Sequence, residues 1–174
     1  MNAAYQNLLD RRSCRKYLPD QIKPEELDAI LEAGIYAPTG GNRQTPLVVA
    51  VQDAALIREI EKLNAHAAGN DAARTFYGAP TLVVVFGIRD SALSMADANL
   101  VIGNLLNAAN AVGVDSCYIW RAAESFDSEA GAALKAKWGI PAEYVGVGNV
   151  ILGYGAPDGK QKAAPRKEGY VIRV

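Results

Sequence analysis

The chain has 174 residues, half of them apolar and 21% charged, a globular composition that excludes a disordered tail, a collagen or a coiled coil. Its net charge of −1 is unevenly spread: residues 11–16 and 160–173 together carry +8, which leaves −9 on the rest. A net-acidic body with two short basic segments is unlike a general nucleic-acid binder and suits a small anion.

The apolar runs Leu47–Val51 and Leu82–Phe86 are too short to span a bilayer, and Met1–Asp10 lacks the apolar core of a signal peptide. Cys14 and Cys117 have no zinc-like spacing and read as free thiols of a reducing, cytoplasmic compartment. A single histidine, His66, leaves little scope for a His-based triad or metal site. Difficult chemistry in such a chain falls to a cofactor.

In chain order, Ala3–Asp10 reads as a short helix, followed by a turn at Leu18-Pro19-Asp20. Lys23-Pro24-Glu25-Glu26 opens a second helix, with Pro near its first position and two acids where the helix dipole favours them. Leu27, Ile30, Leu31 and Ile35 form its apolar stripe, and Pro38-Thr39-Gly40-Gly41-Asn42 ends it in a loop. Residues 46–51 have strand character, and Asp53 is placed to cap a helix running to about Ala65. Residues 66–80 contain two breakers, Gly69-Asn70-Asp71 and Gly78-Ala79-Pro80, and read as a flap or lid.

Thr81–Ile88 is apolar on both faces, as a central strand requires. Ala92–Val112 reads as a long helix, apolar nearly all round, which calls for burial by its own domain or by a partner; Gly103 permits another backbone to approach. Ser116–Trp120 reads as a strand, Asp127–Trp138 as a helix capped by Asp127 or Ser125, and residues 144–154 as a Gly-rich strand. The tail is polar and basic until Tyr170-Val171-Ile172 regains strand character. Strands separated by helices imply one sheet covered on both faces.

Three segments carry candidate chemistry. Arg11-Arg12-Ser13-Cys14-Arg15 offers three guanidiniums and a hydroxyl to a phosphate or planar anion; alone, it reads as a solvated basic face. In Ala37–Gln44, two glycines let backbone amides approach a ligand, while Thr39, Asn42 and Gln44 supply short polar groups; alone, it is a turn. It lacks the Gly-Lys-Ser/Thr ending of a P-loop and runs from helix to strand, against the order of a dinucleotide fingerprint. Gly153-Tyr154-Gly155 with Arg166-Lys167 pairs a Gly-rich strand end with tail cations.

In this order the segments resemble the nitroreductase family of flavin mononucleotide (FMN) enzymes. The matching elements are Arg-Arg-Ser-x-Arg after the first helix, the Ala-Pro-Thr-Gly-Gly-Asn-x-Gln loop, Phe76-Tyr77-Gly78-Ala79-Pro80, Asp97-Ala98-Asn99, Gly113-Val114-Asp115-Ser116-Cys117, Trp138-Gly139-Ile140-Pro141, Leu152-Gly153-Tyr154 and Arg166-Lys167. The resemblance covers nearly the whole chain. It implies an α+β fold of three α/β/α layers, a single domain over residues 1–174. The central sheet is expected to be mixed, with four to five strands flanked by helices and the long helix buried at a dimer interface.

It further implies a homodimer with FMN sites between subunits, and hydride transfer from NAD(P)H through the flavin to nitroaromatic, quinone or similar acceptors by a ping-pong mechanism. By the same resemblance Arg11, Arg12, Ser13 and Arg15 hold phosphate and ribityl, with Arg15 also reaching the flavin's pyrimidine edge. Pro38, Thr39 and Asn42 come from the partner subunit, Gln44 of the same loop joins the cofactor-binding set, and Gly153, Tyr154, Arg166 and Lys167 complete the flavin and phosphate side. A fixed cation near N1 favours the reduced flavin, a role that falls to Arg15; no side-chain acid or base is required. Reductive dehalogenation, dehydrogenation and a non-catalytic FMN-binding or redox-sensing dimer are the alternatives on the same fold. No nucleic-acid or membrane partner is expected.

The chain departs from the family pattern where Thr39 replaces Ser, where Gln44-Thr45-Pro46-Leu47 lacks a Trp, and in a short, aromatic-poor stretch at 61–78. His66 and Tyr77, in or beside that stretch, read as a surface histidine and a packing tyrosine, with substrate contact the alternative. Cys14, flanked by cations, reads as a buried inert thiol, with a lowered pKa the alternative.

Overall fold

A computed structural model describes residues 2–174. Helix α1 (Ala3–Asp10) starts where the Asn2 side chain accepts the Tyr5 N–H at 3.0 Å. Helix α2 (Pro24–Ile35) starts at Pro24, with Glu26 reaching back to the Lys23 N–H at 3.0 Å. A short 3-10 turn at Gly40–Asn42 leads into β1 (Leu47–Val51). Asp53 caps α3 (Ala54–Ala67) through the Leu56 N–H at 2.7 Å. Then follow β2 (Thr81–Ile88), α4 (Ala92–Ala111), β3 (Asp115–Ile119), α5 (Ala122–Asp127), α6 (Glu129–Lys137) and β4 (Tyr144–Gly153).

The four strands form one sheet in the order β1-β2-β4-β3. The expected mixed sheet is corrected: all three strand pairings are antiparallel, and the one parallel contact is an isolated bridge between Ser13 and Ser116. A helix between strands gives a parallel pair only when it returns the chain to the edge where the first strand began. Here the connection continues past α3 through residues 68–80 and arrives beside the end of β1, where Leu82 pairs with Val51.

Both faces of the sheet are covered, giving the three layers. Val83, Val85, Val150 and Leu152 face α2 and α4, packing on Ile30, Val101, Ile102 and Leu105. Leu82, Val84, Phe86 and Ile151 face α3, α5 and α6, packing on Ile60, Phe76 and Phe126. The alternation along β2 is the period of two that sends neighbouring side chains to opposite faces. Five consecutive residues, Leu82 to Phe86, are fully buried, each contributing about 1.5–3 kcal/mol of apolar transfer.

Two further expectations change. The helix read as Asp127–Trp138 is α6, capped by Ser128 through the Gly131 N–H at 3.1 Å, and a separate helix, α5, precedes it unannounced. The preceding α5 is too short for a periodic pattern, and it starts at Arg121, whose left-handed backbone (φ 72°) no residue type announces. Tyr170, Val171 and Ile172 form no strand and stand 77%, 73% and 82% exposed. Within one chain, α4 is buried along one side. Ala98, Val101, Leu105 and Ala109 face the core, while Leu93 and Leu100 remain 43% and 49% exposed and nothing lies within 4 Å of a Cβ built on Gly103.

Among the described residues, no helix is long and apolar enough to cross a membrane, and no cluster of His, Cys, Asp and Glu is arranged to hold a metal ion.

Candidate functional site

The two basic segments meet along a hydrogen-bonded seam. Residues 14–18 run antiparallel to 154–160: Leu18 N–H donates to Tyr154 O (2.8 Å), Ala156 N–H to Lys16 O (2.9 Å) and Arg15 N–H to Gly159 O (2.8 Å). On its other side the Cys14 N–H donates to Ser116 O at 3.0 Å, so the seam also covers the free edge of β3. Two glycines are required here. A Cβ on Gly155 would strike the Asp115 carboxylate and lie 2.9 Å from Cys14 Sγ, and one on Gly159 would lie 2.7 Å from that sulfur. The Asp115 carboxylate accepts the Gly155 N–H at 3.1 Å and Lys160 Nζ at 2.7 Å.

Beside the seam lies a cavity of about 730 Å³ whose polar lining is Arg11, Arg12, Ser13, Arg15, Lys162 and Arg166, with Gln161 among them. The cations of the two segments divide sharply. Lys16 pairs with Asp158 and Lys160 with Asp115, each at 2.7 Å, whereas none of the five cations lining the cavity has a carboxylate partner among the described residues. Arg12 instead donates to the Leu9 and Arg11 carbonyls at 2.6 and 2.7 Å, at the C-terminal end of α1 where the dipole favours a cation. Arg166 donates to Ala164 O at 2.8 Å. Converging guanidiniums without counter-charge make an anion site, and their planar forks suit a phosphate.

Arg15 also lines a second cleft of about 250 Å³, bounded by Tyr77, Tyr118, Trp120 and Arg121. Two of these, Tyr77 (φ 51°) and Arg121 (φ 72°), hold left-handed backbone, a strain that persists only where neighbours enforce it. The enforcing bonds are Asn64 Nδ2 to Trp120 O at 2.7 Å and Ser125 Oγ to Arg121 O at 2.6 Å, with buried Glu61 accepting the Phe76 N–H at 2.8 Å. The 68–80 stretch is thus pinned through Phe76 and contributes Ala68, Thr75 and Tyr77 to the cleft wall. Thr75 Oγ1 is buried there without a partner. His66 lies outside both cavities and pairs with Asp71 at 2.9 Å on the surface.

The remaining residues singled out in the sequence stand apart from these cavities within one chain. The loop holding Pro38, Thr39, Asn42 and Gln44 sits on α4, where Gly40 N–H donates to the Asp97 carboxylate at 3.1 and 3.2 Å. Thr39 Oγ1 accepts the Gln44 N–H (3.1 Å), Gln44 Nε2 donates to Asn42 Oδ1 (2.9 Å), and both Asn42 and Gln44 have positive φ. Gly153 packs against Pro80 and Tyr17, Tyr154 donates its hydroxyl to Glu26 at 2.6 Å, and Lys167 is exposed in the tail. Sequence reasoning missed Lys162, Trp120 and Arg121. The spacing of Lys162 to Arg166 along the tail was a usable signal; the left-handed turn at Arg121 had none.

Burial acts on two groups under the seam, Cys14 and Tyr17. Cys14 is fully buried and burial pushes its thiol above the ordinary range, the direction that goes with a buried, inert thiol and against a lowered pKa. Burial likewise raises the Tyr17 hydroxyl, which donates to Cys14 O at 3.0 Å. Tyr154 and Glu26 shift in opposite directions, chiefly through their shared hydrogen bond: the hydroxyl rises and the carboxyl falls.

This backbone superimposes on the crystal structure of a nitroreductase with bound FMN from Bacteroides fragilis NCTC 9343 with a TM-score of 0.91, at 30% identity over all of both chains. The chain belongs to the nitroreductase family. The nitroreductase-family model itself matches residues 8–71, from the end of α1 through the breaker at 69–71. A second FMN-bound nitroreductase structure, from Desulfitobacterium hafniense DCB-2, aligns with a TM-score of 0.89 at 26% identity over 100% of this chain and 99% of that one. The FMN reductase [NAD(P)H] of Bacillus subtilis (strain 168) is 38% identical over 63 residues, 36% of this nitroreductase-family chain and a quarter (25%) of that protein's length. The α+β nitroreductase fold is thereby established.

Proposed function

We propose that this nitroreductase-family chain, as one domain over residues 1–174, binds FMN and transfers hydride from NAD(P)H to nitroaromatic, quinone or similar electrophilic acceptors by ping-pong turnover. The observation that carries this reading is the 730 Å³ cavity in which five cations from opposite ends of the chain meet without a carboxylate. That donor set fits a phosphate, and FMN is the phosphate-bearing group in the two crystal structures named above.

Arg11, Arg12, Lys162 and Arg166 neutralise the phosphate, and Ser13 offers a hydroxyl beside them. Bound FMN supplies the hydride chemistry, which no side chain of this protein can perform. Arg15 lies between cavity and cleft, so its fixed charge favours the anionic character that builds on the flavin when it is reduced. Tyr77 and Trp120 give the cleft aromatic walls on which planar nicotinamide and acceptor stack in turn. By the family resemblance Gly153, Tyr154 and Lys167 also belong to the flavin and phosphate side; none of the three lines either cavity within one chain, and Gly153 and Tyr154 act there through the seam they help to build.

The working unit is a homodimer whose second copy brings Pro38, Thr39, Asn42 and Gln44 to the flavin. Its support is the loop's separation from both cavities and the open side of α4 at Leu93, Leu100 and Gly103. The unpaired Cys14 and Cys117 fit a reducing, cytoplasmic setting.

Purified protein is expected to be yellow and to bleach anaerobically with NADH or NADPH. Protein that stays colourless with added FMN refutes the reading, and yellow protein that neither nicotinamide bleaches points to another donor or to a non-catalytic binder. Arg11→Ala combined with Arg166→Ala is expected to lose FMN, and unchanged retention refutes the phosphate clamp.

A further inference from the structure

We propose that Asp115 is a positioning residue for the phosphate end of the site, acting through the tail it holds. The assignment rests on the FMN reading of the cavity. Asp115 is the first residue of β3 and only 17% exposed, yet both its carboxylate oxygens are committed to the segment after β4. Oδ2 accepts the Gly155 N–H at 3.1 Å and Oδ1 accepts Lys160 Nζ at 2.7 Å. These bonds grip the excursion 155–160 at both ends, and the residue after it, Gln161, begins the lining of the cavity that continues through Lys162 and Arg166.

The grip reaches beyond the two bonds. The Asp115 carboxylate fills the space a side chain on Gly155 would need, and it sits on the strand whose neighbour, Ser116, accepts the Cys14 N–H. One carboxylate therefore fixes the tail against the same strand edge that carries Ser13 and Arg15. Without it, the segment leading to Lys162 and Arg166 keeps only the exposed Lys16–Asp158 pair and the backbone bonds of the seam, and nothing ties Lys160 to β3. Lys160, a basic-segment residue with no assigned part in the sequence, is the structural cation of this arrangement.

The proposal makes a prediction whose sign is opposite to simple electrostatics. Removing a negative charge beside a cationic cavity strengthens anion binding by Coulomb attraction alone. Loss of positioning weakens it. Asp115→Asn keeps an acceptor for the Gly155 N–H and gives up the charge that holds Lys160. FMN and riboflavin, which differ by the phosphate, are titrated by flavin fluorescence into the full chain and into Asp115→Asn, Arg166→Gln and the double variant.

Asp115→Asn is expected to bind FMN roughly fivefold more weakly with riboflavin affinity unchanged, and the double variant to lose less than the product of the two single losses, as coupled sites require. Trypsin cleavage after Lys162, followed by mass spectrometry, is expected to accelerate in Asp115→Asn. FMN affinity that holds or rises, an equal loss for FMN and riboflavin, fully multiplicative losses in the double variant, or an unchanged cleavage rate each overturns the proposal. Wild-type protein that binds no FMN overturns the parent reading instead, and the cleavage comparison then decides whether Asp115 places the tail. Should Asp115→Asn not fold, Lys160→Gln breaks the same pair from its exposed side, with the same expected cleavage and the same FMN-to-riboflavin split.

Discussion

The two glycine-bearing segments of the site, 153–160 and 37–44, are built in opposite ways. The first is zipped to residues 14–18 by backbone bonds, has no room for side chains at Gly155 and Gly159, and is anchored by a carboxylate on β3. The second satisfies itself locally, through Thr39, Asn42 and Gln44, and touches the body mainly where Gly40 meets Asp97 and Leu93. On the proposed reading, half of the site is thus complete within one chain, while the other half is a preformed, left-handed loop. A cofactor bridging the two would depend on internal packing at one end and on association at the other.

The largest effect is expected from closing the gap at the zipped segment. Gly155→Val drives a branched side chain into Asp115 and Cys14, and overpacking of this kind costs about 1–3 kcal/mol. Urea unfolding should register that loss together with release of FMN. Leu100→Glu tests the opposite region: an exposed position should change the chain's own stability by no more than about 0.5 kcal/mol. Sedimentation should nevertheless show dissociated copies, and the protein should lose its flavin. A Leu100→Glu protein that stays associated and yellow removes α4 from the interface.

The smallest effect sharpens how the seam is tied to α2. Tyr154 donates to Glu26, which lowers the carboxyl below its ordinary value and raises the phenol above its own. The carboxyl's contribution is present above about pH 4.3 and lost as pH falls through the lowered folded value; the phenol's is present below about pH 10 and lost as pH rises through the raised one. Tyr154→Phe should therefore destabilise the protein between those limits and converge with wild type outside them. Thermal melts across pH decide it, and a difference independent of pH discounts the bond.

Much of the fold was readable because local chemistry and tertiary packing agree. Asp53 and Pro24 mark helix starts by capping and fixed φ, and Thr81–Ile88 announces a strand buried on both faces. Where competing signals lay side by side, the reading slipped: Ser125 and Asp127 looked like caps, but Ser128 does the capping. Strand direction depended on residues 68–80, an irregular stretch with no periodic pattern to read. Of the site, the convergence of Arg11, Arg12, Ser13, Arg15 and Arg166 was legible as charge, since uncompensated cations stand out in an acidic chain. The Asp115–Lys160 pair was not, because an acid at a strand start and a lysine in a tail carry no mark of each other.

The seam also sets an order of events. Lys16 and Asp158 touch across 142 positions of chain, and the cavity borders that junction. Contacts of such long separation form late, after the loop-closure entropy of nearly the whole chain has been overcome. During synthesis the arginines of residues 11–15 wait, unable to make this cavity, until the segment through Arg166 has left the ribosome. On the proposed reading, flavin capture at this site is consequently among the last steps of maturation, and a chain truncated before residue 155 contains all four strands yet lacks Gln161, Lys162 and Arg166 of the cavity lining.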